Sequence, residues 1–128
     1  MEILNIISSI TTPSISFNPN TGIINIKGRS IPENAVGYYS PLLALLDEYS
    51  AQPVKETVLN IQLEYINTAS TRVILDLLKK AEALHVSGAT SVVINWYYEE
   101  DDPDLLETGE DYIEYIKIPF NLIAIKSD

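Results

Sequence analysis

Leu63-Glu64-Tyr65-Ile66-Asn67-Thr68-Ala69-Ser70-Thr71-Arg72 is the stretch on which the architecture of this chain turns. Leading into it, Thr57 to Tyr65 alternate, with Leu59, Ile61, Leu63 and Tyr65 on one side and Val58, Asn60, Gln62 and Glu64 on the other. That is the pattern of a strand with one buried and one partly wet face. Beyond it, from Thr68 to about Val86, the period becomes helical. Ile74, Leu77, Leu78, Ala81 and Leu84 form one apolar stripe, and Ser87-Gly88 closes the run. The change of period falls at Asn67-Thr68, so three hydroxyls (Thr68, Ser70 and Thr71) stand at the mouth of a helix. First-turn N–H groups lack internal acceptors and the helix dipole is positive there. A phosphate, which brings about −1.5 to −2 charges, is held most easily at such a place. The plainer role of the same residues is capping, since Asn and Thr commonly satisfy backbone donors.

Working outward, Ser14 to Phe17 and Gly22 to Lys27 flank the turn residues Asn18-Pro19-Asn20-Thr21 and read as a β-hairpin. Asn34 then caps a helix running to Tyr49. Pro41 lies inside it and predicts either a kink or a fresh start with Ser40 as cap. Ser91 to Tyr98 is β-branched and aromatic, a central strand. Asp102-Pro103 opens a third helix to about Tyr115, and Phe120 to Ile125 forms the last strand. The order β-β-α-β-α-β-α-β, without repeats or linker, predicts a single α/β domain over residues 1–128. Its expected form is a sandwich with a mixed sheet of about five strands and about three helices mainly on one face.

Composition restricts the function. The chain has 18 acidic against 8 basic side chains, a formal net charge of −10. This disfavours nucleic acid and anionic membranes, both of which require basic patches. There is no cysteine, hence no disulfide framework, thiolate nucleophile or cysteine metal site. Met1 to Ile10 lacks the basic and long apolar regions of a secretory signal. No run reaches the ~18 apolar residues of a membrane span. A cytoplasmic location without membrane insertion is the expectation.

The three motifs Thr12-Pro13-Ser14-Ile15, Ile31-Pro32-Glu33-Asn34 and Tyr65-Ile66-Asn67-Thr68-Ala69-Ser70, followed by Trp96-Tyr97-Tyr98 and Pro119-Phe120, resemble the SiaC-like regulatory phosphoproteins. The fold of that family is similar to that of anti-sigma-factor antagonists, the STAS fold. The resemblance spans nearly the whole chain. It implies a non-enzymatic regulator phosphorylated on Thr68, the threonine after Asn67. It also implies a Ser/Thr protein kinase, a PP2C-type phosphatase that resets the switch, and a diguanylate cyclase bound by the unphosphorylated form.

A helical wheel supports the same site independently. Thr68, Thr71, Arg72, Leu75 and Lys79 fall on one side of the helix, away from the core stripe, whereas Ser70 faces inward. With Asn67 they form the expected partner-binding surface. Leu75 is an outward apolar side chain beside a modifiable hydroxyl, although single exposed leucines are ordinary. Arg72, one turn after Thr68, is placed either to pair with a phosphate or to meet Asp76. No acidic residue occupies the helix's first turn, which leaves room for an added anion.

Other candidates are weaker. His85 stands alone near a helix C-terminus, which argues against catalysis or zinc. Glu99 to Asp102, with Asp104, lacks the spacing of a calcium loop and reads as a solvated turn with a cap. No phosphate loop or nucleophile elbow is present, and no cofactor or metal is expected. Two alternatives stand beside the phospho-switched module. One is a constitutive interaction module in which Thr68 is merely a cap; the other is a small enzyme using carboxylates brought together by the fold.

Overall fold

A computed structural model describes residues 1–126. Nine elements follow in order: β1 (Leu4–Ile6), β2 (Ser14–Asn18), β3 (Ile23–Ser30), α1 (Ala35–Tyr49), β4 (Glu56–Ile66), α2 (Thr68–Val86), β5 (Ser91–Glu99), α3 (Pro103–Tyr115) and β6 (Phe120–Ile125). The six strands lie in chain order across one sheet. The first two pairings are antiparallel and the last three parallel. Each of the three β-α-β crossovers steps in the same direction. Right-handed crossovers of that kind all place their helix on one face, and the core confirms it. Phe17, Leu59, Ile61 and Trp96 from the strands are buried with Leu42, Tyr49, Leu77 and Tyr112 from the helices. The expected one-faced sandwich is therefore correct, with six strands in place of about five.

The additional strand is β1. Its three residues carry no alternation long enough to read, and it is held by pairing Leu4, Asn5 and Ile6 with Phe17, Ser16 and Ile15. Two further expectations need correction. Of the two outcomes expected at Pro41, the fresh start does not occur, because helix α1 runs through it. Pro41 cannot donate to the Gly37 carbonyl, and the Ser40 hydroxyl donates to that oxygen instead at 2.9 Å. Tyr65 does not continue the buried face of β4. A register shift at Gly28/Arg29 leaves Glu64 unopposed and pairs Arg29 with Tyr65. One extra residue in a ladder re-aims the side chains beyond it, and Tyr65 is 55% exposed with Arg29 over its ring.

The face free of helices carries a polar row. Asn121 donates to Asn95, Asn95 to Asn60, Asn60 to Asn25 and Asn25 to Ser16, over 2.9 to 3.4 Å. Register places Asn5 of β1 opposite Ser16, so every strand contributes one residue to this row. Amides half-exposed on a sheet face satisfy one another there and keep the open face from being wholly apolar.

Candidate functional site

The C-terminal ends of the parallel strands carry the starts of all three helices, capped by Asn34, Asn67 and Asp102. At the middle one, Asn67 is fixed from three sides. Its N–H donates to the Ser30 carbonyl at 2.9 Å, its side-chain amide reaches the Pro32 carbonyl at 3.4 Å, and its Oδ1 accepts the Ser70 N–H at 2.9 Å. Nearby, Ile31 N–H donates to the Thr11 carbonyl, and the Tyr38 hydroxyl to that of Pro13. The three sequence motifs around Pro13, Pro32 and Asn67 thus converge, and their shared product is the position of the first turn of α2.

Asn67 is the cap of α2; Thr68 is the first helical residue. The Thr68 side chain is exposed and has no hydrogen bond among the described residues. A role for Thr68 as a mere cap is therefore excluded. Ser70 is fully buried as the helical wheel requires. Ser30 Oγ donates to Ser70 Oγ at 2.8 Å, which uses the only proton Ser30 has, so the Tyr39 hydroxyl must be the donor in its 2.6 Å bond to Ser30. The Thr71 hydroxyl turns back to the Asn67 carbonyl at 3.1 Å. Of the three hydroxyls, only that of Thr68 is uncommitted.

Burial pushes the Tyr39 hydroxyl up to about 12, and burial raises Tyr112 as well. The folded protein therefore keeps these protons after the unfolded chain, near 10.0, has lost its own. The stability that depends on neutral Tyr39 is full below pH 10 and disappears as pH rises towards about 12. Denaturant midpoints measured across that window should fall steeply, and Tyr39→Phe should flatten the fall.

Beyond Thr68, an open groove of ≈ 930 Å³ runs between α2 and α3. Thr68, Thr71, Arg72, Leu75 and Lys79 line one wall. Asn67 lies just outside it, as the cap. The opposite wall is Thr108, Asp111, Tyr112 and Tyr115 of α3, with Tyr115 65% exposed. Sequence reasoning missed this second wall, though its spacing of i, i+3, i+4 and i+7 marks one helix face. Two contacts set the width of the groove. The Tyr112 hydroxyl donates to the Thr71 carbonyl at 2.7 Å, and Tyr112 packs edge-on against Trp96 at 5.4 Å. Gly109 lets α3 approach so closely, because a Cβ there would lie 2.7 Å from both Trp96 and Leu122. Arg72 forms no ion pair among the described residues, where the single salt bridge joins Lys80 and Asp47. Of the two roles open to Arg72, the pair with Asp76 does not form, and the guanidinium is available one turn from Thr68.

The remaining candidates take structural roles. His85 Nδ1 accepts the Val92 N–H at 2.9 Å. Asp102 caps α3 by accepting the Leu105 N–H at 3.1 Å, as the solvated-turn reading expects. Among the described residues no group of three or more His, Cys, Asp or Glu side chains is placed to hold a metal, and no helix is long and apolar enough to cross a membrane.

Comparison with known proteins identifies this arrangement. Residues 6–125 match the model of the family described as SiaC family regulatory phosphoprotein. An uncharacterised protein of Pseudomonas aeruginosa is 27% identical over 124 residues, covering 97% of this chain and 98% of that relative. The crystal structure of apo-SiaC from Pseudomonas aeruginosa superposes with a TM-score of 0.89 at 27% identity, over 97% of this chain and all of that one. SiaC in complex with the diguanylate cyclase SiaD, which it activates, superposes with a TM-score of 0.88 at 26% identity, over 95% of this chain and 99% of that one.

Proposed function

Because the chain belongs to the SiaC family of regulatory phosphoproteins, a family of regulators rather than enzymes, we propose that it is a binding module switched by phosphorylation of Thr68. A Ser/Thr kinase adds the phosphate, a PP2C-type phosphatase removes it, and the unmodified protein docks on and activates a diguanylate cyclase in the cytoplasm. The observation that carries this reading is the Thr68 hydroxyl, exposed and unbonded at the first position of α2 and opening onto the α2–α3 groove. Asn67 positions it; Thr71, Arg72, Leu75 and Lys79 supply the adjoining docking wall. The cyclase bound by SiaC from Pseudomonas aeruginosa supports the choice of effector.

Two measurements test the proposal. Intact-mass analysis of protein isolated from native cells should show a single added phosphate, lost in Thr68→Ala. Arg72→Glu and Leu75→Asp should each weaken binding of the host's cyclase about tenfold or more, with denaturation midpoints measured alongside, since Arg72 is exposed but half-buried Leu75 packs against the core. Normal binding by both folded variants would place the docking wall elsewhere.

A further inference from the structure

We propose that β1 is the edge through which two copies of this chain pair, antiparallel and about a two-fold axis at Asn5. In a chain of net charge −10, the 24 residues from Ile3 to Ile26 contain no charged side chain, and they build β1, β2 and the first half of β3 on that side of the sheet. Edge strands are ordinarily guarded by charge or proline against pairing with another chain. The opposite edge, β6, follows Pro119 and lies between Lys117 and Lys126. β1 itself contains neither proline nor a charged residue, and the carboxylates near it, Glu2 and Glu48 of α1, flank only its N-terminal end. On its open face Ile3 is 58% exposed and Ile7, just past the strand, 85% exposed.

Its sequence favours a second copy over any other strand. Ile3-Leu4-Asn5-Ile6-Ile7 reads alike in both directions, apolar on either side of a central Asn. A two-fold axis at Asn5 sets Ile3 opposite Ile7 twice, Leu4 opposite Ile6 twice, and Asn5 opposite itself. Glu2 then meets Ser8, so no charge faces a like charge across the axis. The Asn row reaches β1 at Asn5, whose side chain has no hydrogen bond among the described residues. An amide both donates and accepts, so the two Asn5 side chains would join two rows into one. A pairing of about five residues is small beside the roughly 1,200 Å² that stable interfaces bury. The dimer is accordingly weak, and salt strengthens it by screening two strongly acidic bodies.

Sedimentation velocity of the full chain from about 10 µM to about 1 mM should show a monomer–dimer equilibrium that tightens with salt. Asn5→Asp sets two carboxylates face to face, and Ile7→Lys removes both Ile3–Ile7 pairs. Each should raise the dimer dissociation constant about tenfold or more, while Ala124→Lys on β6 leaves it unchanged. Hydrogen exchange at Leu4 to Ile7 should slow as wild-type concentration rises. A monomer at every concentration overturns the proposal, as does exchange at β1 that ignores concentration. Species larger than a dimer that are lost with Ala124→Lys would also overturn it, because they would join β1 to β6.

Discussion

Phosphorylation of Thr68 is expected to lower affinity for the cyclase about 5- to 150-fold, equivalent to about 1–3 kcal/mol. Within the free protein a phosphate on Thr68 would be well accommodated. The Ser70 N–H is taken by Asn67, which leaves the first-turn N–H groups of Thr68 and Ala69 for an anion. Arg72 lies one turn on without an ion pair, and no acidic residue occupies that turn. At a docked interface the balance changes. A dianion beside half-buried Leu75 must shed water against the partner, and this opposes binding unless the partner supplies arginines. Thr68→Ala should retain full binding while escaping modification. Since Asn67 is the cap and Thr68 makes no hydrogen bond, its stability should change by no more than about 0.5 kcal/mol. Titrating one cyclase preparation with modified and unmodified protein checks the sign, and tighter binding by the phosphoprotein would reverse the mechanism.

Trp96→Ala should destabilise the fold by about 3–5 kcal/mol, the largest loss expected from a single truncation. Trp96 is 1% exposed and forms the platform on which α3 rests. Its indole N–H donates to the Leu105 carbonyl at 3.0 Å, its ring meets Tyr112 edge-on, and Gly109 lies against it. Removing the ring leaves a cavity under the far wall of the groove. α3 would then lose register with α2, to which only the Tyr112–Thr71 bond would still tie it among these contacts. Binding should therefore fall along with the denaturation midpoint. Trp96→Phe, which keeps most of the packing, should retain more of both. A Trp96→Ala protein as stable as wild type would show that α3 is held by other contacts.

The α2 side of the site was legible because its signals are local. Period 2 up to Leu63, period 3.6 from Thr68 and a cap residue between them are properties of neighbours in sequence. Helical geometry alone turned Ser70 inward and Arg72 outward, whereas Leu75, expected to face outward, is half-buried against the core at the groove. The fresh start offered at Pro41 failed for the same reason. Its local penalty is real, but the Ser40 hydroxyl offsets it at the Gly37 carbonyl, and packing of Tyr39, Leu42 and Leu46 carries the helix through. Tyr65 misled because a bulge depends on the partner strand, and the register of β3 against β4 is absent from either strand read alone.

Taken by itself, the sequence determined the helices, the five longer strands, the one-faced sandwich and the position of Thr68 at a helix start, since each follows from side-chain period and capping chemistry within a few residues. Tertiary structure alone decided that β1 exists, that Thr108, Asp111 and Tyr115 face Arg72 across a groove, and that five strands donate or accept along one Asn and Ser row. Those features join residues tens of positions apart, and the forces that bring them together are shared burial and strand register, which no single stretch of chain encodes.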